Sequence, residues 1–462
     1  MSDYKYPTPS LELARFVCSL RYDSLPVQVV DKIKSILLDG IACGCYGRTK
    51  PWGKMVYEFV QELGGKEEAT LWLTDFKGPA VNVALALGTA IHAFDYDDYH
   101  KSKLHPASVI IPAALTMAER EGGVTTRQFL VALVAGYEVM IRVGLSVNPG
   151  VSRLKGWHLT GTCGVFGSAA AAGKILGLDE EQMAWALGIA GTQASGLWAF
   201  NYDGAMTKRL HPGRASQSGI MAAILAKKGF TGPIRILDAE DGGFWRATSD
   251  KPVPEKLLQA IGKKFECADT CIKPYASCGS NHAAIDAVRA IMANQHVAVT
   301  DIEKIIVFTS RVIKTQTGFD YLPATVLQAQ MSLKYAVSAA IMFGNVLPEH
   351  MEEKCFGHPD MRRLMEKVEI VVDPEMDSLY PEHFCSKVLM ITKDGKRYQV
   401  RINDPLGSEE RPLKWDDVVN KASNLLRGIM AESHFNKLVE GIKNLARAED
   451  EDIGAICKLL KI

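Results

Sequence analysis

The densest chemistry in this sequence is the run His92-Ala93-Phe94-Asp95-Tyr96-Asp97-Asp98-Tyr99-His100, followed by Lys101-Ser102-Lys103-Leu104-His105-Pro106. Carboxylates and imidazoles crowded at the end of a strongly apolar stretch shift one another's ionisation, and proton-transfer catalysts need that. The same residues allow two other readings. Asp97 and Asp98 could simply cap a solvated helix end, or Asp and His together could hold a metal. Their spacing matches no diagnostic metal motif, so a metal is not expected. A second concentration, Thr207-Lys208-Arg209-Leu210-His211-Pro212-Gly213-Arg214, gathers cations. Arg209 and Arg214 carry forks matched to carboxylates, whereas Lys208 is a point charge whose pKa falls readily on burial. Salt bridging to the acidic loop at 238–241 is the alternative use of these cations.

Two further stretches could complete a site. Lys155-Gly156-Trp157-His158 leads into Gly161-Thr162-Cys163-Gly164-Val165-Phe166-Gly167, where the Gly/Ala face predicts close helix packing and His158 could face a cleft. The glycines lack the GxGxxG dinucleotide pattern and a P-loop lysine. Lys273-Pro274-Tyr275-Ala276-Ser277-Cys278-Gly279-Ser280-Asn281-His282 brings a cation and an imidazole to a predicted helix start, where backbone N–H groups favour anions. An ordinary capped loop fits the same residues, and Cys278 could act as a nucleophile only with a partner that nothing local supplies.

The elements that must position these groups fall into three stretches. Residues 1–267 read as helix after helix, with capping boxes at Thr125/Gln128 and Asp179/Gln182. Several of these helices are apolar nearly all round, so they must be central members of a large bundle. Residues 268–404 change character. Strands are predicted at 304–308, 368–372, 388–392 and 397–400, the last two joined by Asp394-Gly395 as a type I′ hairpin turn, with helices at 282–294 and 328–343 between them. Residues 405–462 turn helical again and are expected to rejoin the bundle. The fold class is therefore mainly α, a large helical domain plus a smaller α+β lid domain.

Bulk composition narrows the function. With 462 residues, two domains are the starting expectation, and 47% hydrophobic residues support a large core. Lys plus Arg and Asp plus Glu are both 53, so no overall field attracts nucleic acid or an anionic membrane. The 10 scattered cysteines suit reduced thiols in the cytoplasm, no secretion signal is evident, and charges or proline interrupt the longest apolar runs.

Taken in order, His92-Ala93-Phe94-Asp95-Tyr96-Asp97-Asp98 with His105-Pro106, Lys208-Arg209-Leu210-His211-Pro212-Gly213, and Lys273-Pro274-Tyr275 through His282 resemble the MmgE/PrpD family. That family includes 2-methylcitrate dehydratases, cis-aconitate decarboxylases and an iminodisuccinate epimerase, and the resemblance covers nearly the whole chain. It implies a homodimer, an interdomain cleft, a small polycarboxylate as substrate, and no metal or organic cofactor. By motif position it assigns catalytic roles to Asp95, His105, His158, Lys208 and His282. Arg209, Arg214 and Lys273 become candidate carboxylate clamps, with Tyr99 and Tyr335 as further substrate contacts. Tyr99 stands where a threonine is frequent, Ala276 replaces a frequent proline, and Tyr321 and Tyr335 compete as counterparts of a family tyrosine. The implied reaction is α-proton abstraction followed by dehydration of the 2-methylcitrate type. Epimerisation and decarboxylation use the same proton chemistry, and a metal-dependent hydrolase on the Asp/His cluster is the rival of a different class.

Overall fold

The computed structural model describes residues 7–320, 322–448 and 451–461. The helical part is built around α1 (Val27–Arg48), α2 (Ala80–Ile91), α3 (Ala107–Glu121), α4 (Thr126–Ser146), α5 (Leu159–Ile175), α6 (Glu180–Gly191) and α7 (Thr207–Lys227). Both predicted capping boxes form: Thr125 and Gln128 start α4, and Asp179 and Gln182 start α6. By length and composition α4 could cross a membrane, but here it is enclosed by protein, packed against α5 and α3. Its two charges satisfy each other, Arg142 Nε donating to Glu138 Oε2 at 3.0 Å. Arg142 also donates to the carbonyls of Gln259 and Lys264, each at 2.8 Å, and Glu138 Oε1 accepts from Cys267 N at 2.8 Å. The buried pair thus staples the core helix to the chain segment that leaves the bundle.

Glycine sets two helix crossings that matter for the site. Where α4 meets α5, a Cβ on Gly167 would lie 2.7 Å from Gly136 O, so only glycine permits the contact. Where α2 meets α7, a Cβ on Gly88 would lie 2.7 Å from the Cα of Gly213. This second crossing brings the start of α7, with Lys208, against the end of α2, with His92.

The α+β part holds a four-stranded sheet of β1 (Ile302–Thr309), β2 (Val368–Val372), β3 (Ser386–Thr392) and β4 (Arg397–Ile402). The spatial order is β2-β1-β3-β4, with β2 parallel to β1 and the other pairs antiparallel. All four predicted strands are present. The hairpin turn differs from the type I′ expectation: Gly395 alone has positive φ (83°), and Gly395 N donates to Thr392 O at 2.8 Å. That is a type I turn completed by a left-handed glycine, the three-residue hairpin, which spares Asp394 the left-handed region. The sheet is covered by α8 (His282–Gln295) and α9 (Leu333–Phe343). The helix expected over 328–343 is two, because the Ser332 side chain accepts from Tyr335 N and starts a new helix after Val326–Gln330.

The chain then returns, and α10 (Trp415–Leu426) packs on α1. Lys421 Nζ lies 2.6 Å from Asp39 Oδ1 and donates to Tyr96 O at 2.6 Å. The C-terminal return therefore grips the 95–98 loop from behind.

Candidate active site

The end of α2 unwinds through a short 3-10 turn, His92–Phe94, into Asp95, which adopts the left-handed conformation (φ 53°). This is a region that Asp and Asn tolerate better than most residues. The turn aims the Asp95 carboxylate at the start of α7. Asp95 Oδ1 sits 3.0 Å from Lys208 Nζ and 2.7 Å from Lys273 Nζ, with all three side chains 3% exposed or less. Lys273 also donates to Asp95 O at 2.8 Å. Oδ2 of the same carboxylate is buried with no protein partner. Burial alone would raise the Asp95 carboxyl, but Lys208 and Lys273 outweigh it and hold the group well below its usual range. Burial lowers Lys208 in spite of Asp95, which makes its ammonium a stronger acid than a surface lysine.

The histidines surround this pair. Lys208 Nζ lies 2.9 Å from His92 Nε2, and His92 Nδ1 lies 3.0 Å from both oxygens of Asp97. A neutral His92 fits that chain, with Nδ1–H donating to Asp97 and Nε2 accepting from the ammonium. His105 Nδ1 donates to Asp98 O at 2.8 Å, which leaves Nε2 unprotonated and 3.7 Å from Asp95 Oδ1. His158 and His211 share one hydrogen bond, Nδ1 to Nδ1 at 2.9 Å. His282 Nε2 reaches Ser277 O at 3.2 Å, so its buried Nδ1 is left without a partner. Its ring meets Tyr99 and Tyr275 edge to face.

Asp97 and Asp98 are not equivalent. Asp98 does cap a helix, accepting from Ala107 N at 2.9 Å and from Tyr137 Oη at 2.8 Å. Asp97 instead orients His92.

These groups adjoin a narrow cleft with a free volume of about 40 Å³, open to solvent on one side. The helical domain supplies Tyr99, Lys103, His105, Arg153, His158 and Trp198, and the α+β part supplies Cys278, Gly279, Ser280, Gln316 and Phe384. The catalytic candidates Asp95, His105, His158, Lys208 and His282 thus gather around one interdomain cleft, His105 and His158 lining its wall.

The expected clamps fare differently. Arg214 is on the surface, bonded to Gln217, because six residues of helix after Lys208 turn it away from the site. Lys273 is neutralised by Asp95 rather than free for substrate. Arg209 donates to Ala93 O at 2.7 Å and to Gln330 Oε1 at 3.3 Å, and stacks 4.1 Å over the Trp52 ring. It braces the turn that carries His92, so Arg209→Lys is expected to lower kcat by about 10- to 100-fold through misplacement of that turn, with KM nearly unchanged. A raised KM at normal kcat would restore Arg209 as a clamp. Tyr335 is buried in the α+β core, its hydroxyl donating to His350 O, and takes no part in the cleft. Tyr321 lies outside the described residues. Tyr99 does line the cleft.

Sequence reasoning passed over His92, His211, Lys103, Arg153 and Gln316. His92 and His211 were inside the quoted motifs, and their i+3 spacing from Asp95 and Lys208 was the available signal. Arg153 and Gln316 carry no local signal.

His92, Asp95, Asp97 and His105 offer donor atoms within 4.8 Å of one another, which is metal-like spacing. Lys208 and Lys273 already occupy the Asp95 oxygen, and Lys208 occupies His92 Nε2, so a cation there would have to displace two ammonium groups.

Burial holds His92, His105 and His158 well below the usual histidine value, and lowers His211 to about 4 and His100 and His282 to about 3. In the unfolded chain each binds a proton as pH falls through about 6.5, while the native state does not until much lower. The unfolded state therefore binds more protons in this window, and stability falls with falling pH. The slope is about 1.4 kcal/mol per pH unit for each histidine that stays neutral. Thermal denaturation is expected to show Tm level above pH 7 and dropping steeply from pH 6.5 to 4.5; a level Tm from pH 7 to 5 would contradict these burials.

A helical domain and a smaller α+β domain, closing on a lysine–carboxylate–histidine cleft, define the class to which this chain belongs. The chain is a member of the MmgE/PrpD family: the N-terminal domain of that family matches residues 11–256 and the C-terminal domain matches residues 275–446. It is 29% identical over 460 residues to a cis-aconitate decarboxylase-like protein, oryM, of Aspergillus oryzae, covering 95% of each chain. It is 26% identical to the cis-aconitate decarboxylase of Aspergillus terreus, covering 95% of this chain and 93% of that one. The human cis-aconitate decarboxylase is 28% identical, with 97% of this chain and 93% of that one covered.

Proposed function

We propose that this protein is a cofactor-independent lyase that decarboxylates a small unsaturated polycarboxylate of the cis-aconitate type. The observation that carries the reading is Asp95, held ionised between Lys208 and Lys273, with the acceptor nitrogen of His105 beside it at the cleft wall. In a β,γ-unsaturated acid the C–C bond to the departing carboxylate breaks, carbon dioxide leaves, and the electron pair shifts through the double bond to the α-carbon of a second carboxylate. Cations facing that carboxylate stabilise the developing charge, and one proton quenches the carbanion. Lys208, acidified by burial, supplies that proton at the start of α7 and is recharged from solvent.

The histidines favour this outcome over the dehydration of the 2-methylcitrate type. Expelling hydroxide needs an acid for the hydroxyl as well as a base for the α-proton. Burial keeps His92, His105, His158, His211 and His282 neutral at ordinary pH, so imidazolium acids are scarce. Carbon dioxide leaves without one. A homodimer belongs to the same proposal, supported by the exposed apolar residues Leu154, Leu197, Tyr202 and Met206.

The test is carbon dioxide release from a panel of small di- and tricarboxylates, with and without a chelator. Release from cis-aconitate that survives chelation is expected. Dehydration of a 2-hydroxy tricarboxylate without carbon dioxide would replace this reading, and activity lost to the chelator and restored by metal would favour the hydrolase-type alternative.

A further inference from the structure

The cleft carries two basic side chains that the reaction scheme above does not use: burial pushes Lys103 down to about 7, so an anion beside it draws it into the charged form, while Arg153, lowered to about 10, stays charged. Lys103 and Arg153 both line it, and among the described residues neither pairs with a carboxylate. Lys103 follows the His100–Ser102 turn and holds a left-handed backbone (φ 62°). That conformation is uncommon for a residue with a long side chain, and such strain concentrates where a side chain must be aimed. It directs the lysine across the cleft to Gln316 Oε1 at 3.3 Å, over the Tyr380 ring at 4.8 Å. Arg153 sits over Trp198, its Cζ 3.7 Å from the ring centroid, and its Nε is buried with no protein acceptor. A guanidinium parked on an aromatic face with an idle donor is a preformed receptor for a planar anion.

Elsewhere in the site the acidic groups are already bonded. Asp95 has Lys208 and Lys273, Asp97 accepts from the neutral His92, and Asp98 caps α3. Lys103 and Arg153 line the same cleft as His105, and among the described residues neither has a carboxylate to hold. We infer that Lys103, Arg153 and Gln316 form a second carboxylate subsite, which binds the substrate carboxylate farthest from the reacting carbon. This rests on the polycarboxylate reading above and deepens it. The cleft then selects acids with a carboxylate at each end, and Tyr99 and Phe384 bound the carbon chain between them. These two residues, together with the subsite, replace the clamps that Arg209, Arg214 and Lys273 do not provide.

The experiment is calorimetric binding of propane-1,2,3-tricarboxylate, which has no double bond to drive decarboxylation, to the full chain and to Lys103→Gln and Arg153→Gln. Because binding is read without turnover, the result stands whatever reaction the enzyme catalyses. Each substitution is expected to weaken binding at least 10-fold, the loss of a charge-assisted hydrogen bond, with Tm unchanged. Arg153→Lys, which keeps the charge, should retain more affinity than Arg153→Gln. Butanoate, with a single carboxylate, should bind weakly and be indifferent to both substitutions. Undiminished tricarboxylate binding in both variants, or no binding by the unaltered protein, would overturn the subsite. Sulfate binding as tightly as the tricarboxylate would assign these cations to a free inorganic anion instead. Normal subsite behaviour with no carbon dioxide release from any polycarboxylate would leave the subsite standing and remove the decarboxylase.

Discussion

Lys208→Met is expected to lower kcat by about 10³-fold, within the range that a positioned acid or base contributes, while the protein still folds. The lysine is the acidic ammonium nearest the cluster, pushed down by burial, and it bridges the Asp95 carboxylate and His92. Methionine fills similar volume without charge, and Asp95 keeps its second counter-ion, Lys273, at 2.7 Å. The fold therefore does not have to bury a naked carboxylate. KM should change little, because substrate carboxylates are held elsewhere in the cleft. Circular dichroism and Tm establish folding, and single-turnover kinetics separates the chemical step from binding. A variant that retains more than a tenth of the normal rate would remove Lys208 from proton transfer.

Asp95→Asn is expected to be the more damaging change to stability. It strips the shared counter-charge from two lysines that are both essentially buried. Breaking a buried pair by removing one partner costs about 3–5 kcal/mol, because an uncompensated charge remains. Asn tolerates the left-handed backbone at this position, so the substitution isolates the charge from backbone strain. The relief available to the protein is to release a proton from Lys208, already lowered by burial, which disarms the acid. Lower Tm and a collapse of kcat are therefore expected together, with the remaining activity moved to lower pH where Lys208 stays protonated. A stable, active Asp95→Asn enzyme would show that the carboxylate does not set the lysines' charge.

How much of this could be read from the chain depended on the range of the interaction. Capping boxes at Thr125 and Asp179 are local, and both appear as their residues predict. The Gly/Ala face of α5 predicted close packing, and Gly164 and Gly167 do sit against neighbouring helices. The Asp394-Gly395 pair marked a hairpin but not its type, which depends on strand twist. Motif position named Asp95, His105, His158, Lys208 and His282, and the structure brings these five around one cleft. It failed for the clamps. Arg209 and Arg214 share a segment with Lys208, but helix rotation sends Arg214 to solvent while Trp52 and Ala93 O capture Arg209. Tyr335 was one of two tyrosines competing for a family position after the 304–308 strand, but its side chain is buried with its hydroxyl on His350 O, away from the cleft. Lys103 and Arg153 escaped notice since the first depends on an unusual φ and the second on a stack with a distant Trp198.

The most direct measurement of the central claim is a proton NMR time course with cis-aconitate in deuterated water. One carbon dioxide lost and one deuteron incorporated per turnover, at a single carbon and with one stereochemical sense, is the predicted result, abolished by Lys208→Met. Substrate recovered unchanged and undeuterated, or product formed equally well by Lys208→Met, would contradict it.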